Sequence, residues 1–94
     1  MNQLTTLTGT LKIKPIERQD KNGNRYYFTF LLTEEEEKAL FFFNPPFDLM
    51  MQVERLQEGE QITVEGTNGN LNSLRVNKII ETKYQEELES SKLV

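Results

Sequence analysis

Residues 38–64 read KALFFFNPPFDLMMQVERLQEGEQITV, and this stretch decides the fold. The apolar run ending in Phe41, Phe42 and Phe43 predicts a strand from about Lys38 to Asn44. Pro45-Pro46 closes it, because proline offers no ladder donor. Phe47, Met50, Val53 and Leu56, with Leu49 beside them, then recur at three- to four-residue spacing. That period predicts one short amphipathic helix over 47–57. Gly59 stops it, and Ile62 and Val64 open another strand, with Thr63 and Glu65 turned outward.

Working outward, residues 25–33 predict a strand with Tyr26, Phe28, Phe30 and Leu32 on one face and Arg25, Tyr27, Thr29 and Leu31 on the other. Glu34 to Glu37 read as a solvated connector; they lack the ligand spacing that a hard cation needs. Residues 18–24, around Asn22-Gly23, predict a turn. Before it, Leu7, Gly9, Leu11 and Ile13 alternate with Thr8, Thr10, Lys12 and Lys14, the pattern of a half-buried strand whose ladder Pro15 breaks near its end. Gly9 breaks the apolar face where a strand bends or another backbone comes close. After Val64, Asn68-Gly69 signals a two-residue hairpin, and Leu74, Val76 and either Ile79 or Ile80 give a last strand. The order strand, strand, strand, helix, strand, strand predicts a mainly β protein with the OB-fold. This is a five-stranded Greek-key barrel with one short helix between strands 3 and 4. The domain spans residues 1–80, and 81–94 are expected to form an acidic, flexible C-terminal tail.

Composition narrows the function. The chain of 94 residues has no cysteine and no histidine, which excludes disulfides, zinc fingers, cysteine nucleophiles and histidine triads. No carboxylate pair or phosphate-binding glycine loop stands in a motif that predicts a cleft, so neither an enzyme nor a cofactor or metal is expected. No apolar run approaches a membrane span and no signal peptide is visible, so the expected compartment is the cytoplasm. The formal net charge is -4, unevenly spread: residues 12–25 carry a net +3, 34–65 a net -7 and 66–80 a net +2. Such asymmetry can mark a binding face and a repelled face.

The candidate binding residues follow from parity. Consecutive strand residues point to opposite faces, so at least one of Phe41, Phe42 and Phe43 points out of the barrel. If Leu40 and Phe42 face the core, Phe41 and Phe43 face out. Tyr27, on the more polar face of its strand, is also expected outside, whereas Tyr26, Phe28 and Phe30 are assigned mainly to the core. Outward aromatics beside cations suit single-stranded nucleic acid, whose unpaired bases stack on rings while Lys and Arg track phosphates. The cations in question are Lys12, Lys14, Arg18, Lys21 and Arg25, with Arg75 and Asn77 outward on the last strand. The same aromatics fit a protein interface equally well. Two further readings therefore stand beside DNA binding: an OB-fold protein–protein interaction module and an RNA-binding OB protein.

The sequence also resembles the bacterial single-stranded-DNA-binding proteins and their phage and mobile-element relatives, across residues 4–80. The matching pattern is Leu7-Thr8-Gly9-Thr10-Leu11 with Pro15 following, Asn22-Gly23 ahead of Phe28 and Phe30, and Leu56-Gln57-Glu58-Gly59 leading to Ile62, Val64, Glu65 and Gly66. The resemblance implies sequence-tolerant binding of single-stranded DNA in replication, recombination or mobile-element transfer. It also implies a homo-oligomer (dimer or tetramer) and contacts with replication or recombination proteins. It places base stacking on Tyr27 and the Phe41–Phe43 strand, and phosphate contacts on Lys12, Lys14, Arg18, Lys21 and Arg25. The chain departs from the family in having no Trp and in ending Ser90-Ser91-Lys92-Leu93-Val94, without the family's acidic tip ending in Pro-Phe.

Overall fold

A computed structural model describes residues 3–83. Strands β1 (Leu4–Leu11), β2 (Ile16–Gln19), β3 (Arg25–Leu32) and β4 (Glu37–Phe43) precede helix α1 (Phe47–Arg55), and β5 (Gln61–Asn68) and β6 (Ser73–Lys83) follow it. The strands form one sheet in the order β1-β5-β6-β4-β3-β2, closed by a further β1–β3 pairing. This is the expected OB-fold. The expected first strand ends at Leu11 as β1; past Pro15 the chain resumes as β2, a strand not expected from the sequence, and both run along β3. Lys12 donates its N–H to the Phe30 carbonyl and Ile16 pairs with Phe28, so Ile13, Lys14 and Pro15 face Thr29 alone. The buried Thr29 hydroxyl donates to the Ile13 carbonyl at 2.6 Å and satisfies the bulged segment.

The core forms where the inward rows meet: Leu11 from β1, Tyr27 and Leu31 from β3, Leu40 and Phe42 from β4, Ile62 and Val64 from β5, Leu74 and Val76 from β6. Helix α1 adds Leu49 and Val53, and Leu56 follows at its end. The helix starts after Pro46, whose carbonyl accepts the Met50 N–H, and Asp48 lies in its first turn, where a carboxylate suits the helix dipole. It ends in a compact turn. Gly59 adopts φ +86°, and the Glu60 carboxylate accepts the Gln57 N–H at 3.0 Å. At nine residues α1 is far too short to span a membrane, and no described helix is long and apolar enough to do so.

Two loops differ in their agreement with expectation. The turn is narrower than the expected 18–24, because Arg18 and Gln19 end β2, but over Asp20–Asn24 it forms as expected: Gly23 takes φ +82°, and Asp20 Oδ1 accepts the N–H groups of Asn22 and Asn24. Those amides, Asn24 foremost, hold the Asp20 carboxyl below its ordinary value. The second is not a two-residue hairpin on Asn68-Gly69. Residues 69–72 connect β5 to β6, and the left-handed conformation falls on Leu71 (φ 54°) and Asn72 (φ 58°). Gly69 serves another purpose there, since a Cβ would crowd the Ser73 hydroxyl at 2.7 Å. Strand β6 bulges at Asn77 and Ile80, where its register with β5 shifts, and runs on to Lys83. Residues 84–94 of the expected tail lie outside the described residues.

Gly9 and Gly66 mark the closest backbone approaches. A Cβ at Gly9 would overlap the Leu32 carbonyl oxygen, and one at Gly66 the Arg75 carbonyl oxygen. Gly66→Ala and Gly9→Ala are each expected to lower unfolding stability by about 1–3 kcal/mol, because backbone must move. Gly23→Ala meets no atom within 4 Å and is expected to lose only about 1 kcal/mol for its left-handed φ. Urea denaturation midpoints check the ranking; an unchanged midpoint for Gly66→Ala would show that the β5–β6 bulge relaxes freely.

Candidate functional site

The pairing of β3 with β4 sorts the aromatics. Antiparallel partners share a face, and Tyr27 is paired with Phe42 while Tyr26 pairs with Phe43 and Phe28 with Phe41. Phe42 is fully buried, so Phe41 and Phe43 point outward, and Phe43 is 45% exposed. By the same register Tyr26, Phe28 and Phe30 also face outward, half-buried, against the expectation that assigned them to the core. The result is one continuous outer surface. Tyr26 and Phe43 have centroids 5.6 Å apart, Phe28 and Phe41 6.3 Å, and Phe28 and Phe30 meet edge-on at 6.2 Å. Phe41 and Phe43 lie 5.5 Å apart and nearly parallel. A base needs about 3.5 Å on each of its faces. It therefore stacks on the outer side of these rings rather than between them.

Tyr27 is the correction on the other side of the strand. It is buried, not outward, and its hydroxyl donates to Glu54 Oε2 of α1 at 2.7 Å. Its polar edge misled the parity reading: Tyr27 and Thr29 are tolerated inside because each finds a hydrogen-bond partner there. Tyr27 therefore ties the barrel wall to the helix. Burial, helped by the Glu54 carboxylate, pushes its phenol up to about 12.

The predicted cations divide between the two sides. Arg18 pairs with Tyr26 in register and sets its guanidinium 5.8 Å from the Phe28 ring. Arg75 pairs with Phe41 across the parallel β4–β6 contact and lies 4.7 Å from the Phe43 ring. Lys12 stands 6.0 Å from the Phe30 ring but also pairs with Glu37 at 3.0 Å. Lys21 is exposed in the Asp20–Asn24 turn, and Asn77 is exposed at a β6 bulge. The structure does not bring Lys14 and Arg25 to the aromatic face. Lys14 donates its ammonium to the carbonyls of Glu54 and Leu56 at 3.0 and 2.9 Å, closing the C-terminal end of α1. Arg25 follows the parity of Tyr27, pairs with Glu17 at 2.8 Å and reaches Met50 Sδ of α1. Among the described residues Arg18 and Arg75 form no ion pair.

Sequence reasoning missed two things. One is the Tyr26–Phe28–Phe30 row. The other is the groove beside it, about 580 Å³, where Phe41, Phe43 and Arg75 meet Asn68, Asn70 and Ser73 of the β5–β6 connection. The first was legible only in part: an even-length β3–β4 loop puts Tyr27 on the face of Phe42, and burial in the barrel decides that this face is the inner one. The second depended on a loop conformation that Asn68-Gly69 misrepresented.

No family model and no curated protein sequence matches the chain. Among solved structures it is similar to a mitochondrial single-stranded DNA binding protein from S. cerevisiae, with a TM-score of 0.73 and 19% identity. The match covers 88% of this chain and 97% of that one. The likeness agrees with the barrel described above.

The Tyr27–Glu54 contact gives a prediction. A phenol whose value rises on folding from 10.0 to about 12 resists ionisation in the folded state. Its stabilising contribution is complete below pH 10 and fades as pH climbs from 10 toward 12. Tyr27→Phe is expected to lose about 1 kcal/mol at neutral pH and to show a shallower alkaline decline than the wild type. Denaturation midpoints across that range check both effects.

Proposed function

We propose that the protein is a non-catalytic, sequence-tolerant single-stranded-DNA-binding protein. One observation carries the reading: an unbroken outward surface of Tyr26, Phe28, Phe30, Phe41 and Phe43, with the guanidinium groups of Arg18 and Arg75 set against it. Rings supply a stacking surface that every base can use, and the flanking arginines supply charge for phosphates. The solved structure with the similar fold is that of a single-stranded DNA binding protein, which supports the same reading. The sequence resemblance supports a role on strands exposed during replication, recombination or transfer of a mobile element, alongside proteins of those processes in the cytoplasm. A homo-oligomer belongs to this reading. The β1 edge over Leu4–Gly9 pairs only with β5 among the described residues, which leaves a strand edge for a second copy.

The number of phosphates engaged follows from the charge geometry. Lys14 and Arg25 are committed to α1 and Glu17, and Lys12 to Glu37, which leaves Arg18, Lys21 and Arg75. Three cations on the phosphates of a single strand give a slope of log affinity against log salt of about -2. Fluorescence anisotropy of a labelled ~20-nucleotide oligothymidine, beside a duplex and an oligouridine, tests this. Binding to the thymidine strand alone, with that slope, is the expected result. Phe43→Ala is expected to weaken it about 5- to 150-fold, the loss of one stacked base. Lys14→Ala should leave the slope unchanged. Equal affinity for oligouridine moves the reading to RNA as well as DNA. Absence of binding at low salt overturns it and assigns the aromatic face to a protein interface.

A further inference from the structure

The aromatic surface is not symmetric along its strands. The outward row of β4 reads Glu37, Ala39, Phe41, Phe43, and that of β3 beside it reads Leu32, Phe30, Phe28, Tyr26. Rings therefore fill the half near Arg18 and Arg75, while the other half ends at Glu37 and the exposed acids Glu34, Glu35 and Glu36. Lys12 stands at the boundary. Its ammonium lies 6.0 Å from the Phe30 ring, where a phosphate of a strand stacked on that ring would pass, yet it donates to Glu37 Oε1 at 3.0 Å.

We propose that Glu37 is an internal phosphate surrogate that engages Lys12 and closes the binding surface at this end. The proposal rests on the DNA-binding reading and deepens it. A carboxylate and a phosphate present the same kind of anionic acceptor to an ammonium, so one excludes the other. Both partners are about half exposed, 50% and 42%, so the pair adds little to barrel stability. Its effect falls on the ligand. A strand entering from the Phe43 side stacks as far as Phe30, finds Lys12 already neutralised, and meets only carboxylates beyond. The bound segment is thereby kept short and the salt dependence shallow.

A double-mutant cycle on the full chain with the labelled oligothymidine tests this. Glu37→Gln is expected to steepen the salt slope by about 0.7, the increment for one further neutralised phosphate, and to tighten binding about fivefold at low salt. Lys12→Ala alone should change affinity less than about twofold, and Lys12→Ala in the Glu37→Gln background should cancel the tightening. Glu36→Gln removes the same charge from a residue paired with Lys38 at 3.8 Å, and should leave the slope as it was. A series of shorter and longer oligothymidines should show the occupied length growing only in Glu37→Gln. Overturning results are an unchanged slope in Glu37→Gln, an equal response in Glu36→Gln, or a slope already shallower by about 0.7 in Lys12→Ala alone. Binding by the wild type with any of these discards the surrogate and keeps the DNA-binding reading, whereas absence of binding by both wild type and Glu37→Gln discards both.

Discussion

The register between β3 and β4 is the constraint on which the rest depends. Pairing Tyr27 with Phe42 commits the odd residues of β3 and the even residues of β4 to the inner side, and the alternate residues to the outer face. A slip by one residue would turn β4 over relative to β3, burying Phe41 and Phe43 and exposing Leu40 and Phe42. The loop sets the same register. Thr33 donates its N–H to the Glu36 carbonyl at 2.9 Å, and its hydroxyl accepts the Glu36 N–H at 3.1 Å. The acidic connector is thus a structural device at one end and a charged boundary of the outer face.

Helix α1 reads the other side of the same pairing. Its Val53 lies in the core, its Glu54 accepts the Tyr27 hydroxyl, and its end is closed by Lys14 from the β1–β2 bulge. The bulge exists because Pro15 cannot continue the ladder, and Thr29 compensates it from within. Residues that look like binding residues by type are here occupied in holding barrel and helix together. A surface lysine has several uses, and the nearest unsatisfied acceptor decides among them. For Lys14 these are the helix carbonyls; for Lys12 it is a carboxylate.

Electrostatics and aromatic area act on different scales in this protein. The net charge of -4 opposes a polyanion at long range, where salt screens it. At close range the outer face presents rings and two arginines, while Glu34 to Glu37 are gathered at its far end and Glu17 is held by Arg25. Such a surface suits the sequence-tolerant binding that we propose, since every base has a face to offer a ring.

The amino-acid sequence by itself determined the barrel: the position of the helix between Pro45-Pro46 and Gly59, the period-2 rows on either side, the turn at Asn22-Gly23, and the close approach at Gly9 all follow from local chemistry. It also limited the outcome for the Phe41–Phe43 triplet to two alternatives. Tertiary structure decided which. The partner of Tyr27 is set by a non-local pairing, and a tyrosine reads as polar or apolar according to whether a Glu54 stands across from its hydroxyl. The same holds for the cations: Lys12, Lys14 and Arg25 belong to one basic stretch in sequence, but strand parity and a bulge send them to three different acceptors. Side-chain type is local information. The acceptor that a charge finds is not, because it comes from a segment 25 to 42 residues away, or, for Arg25, from the neighbouring strand.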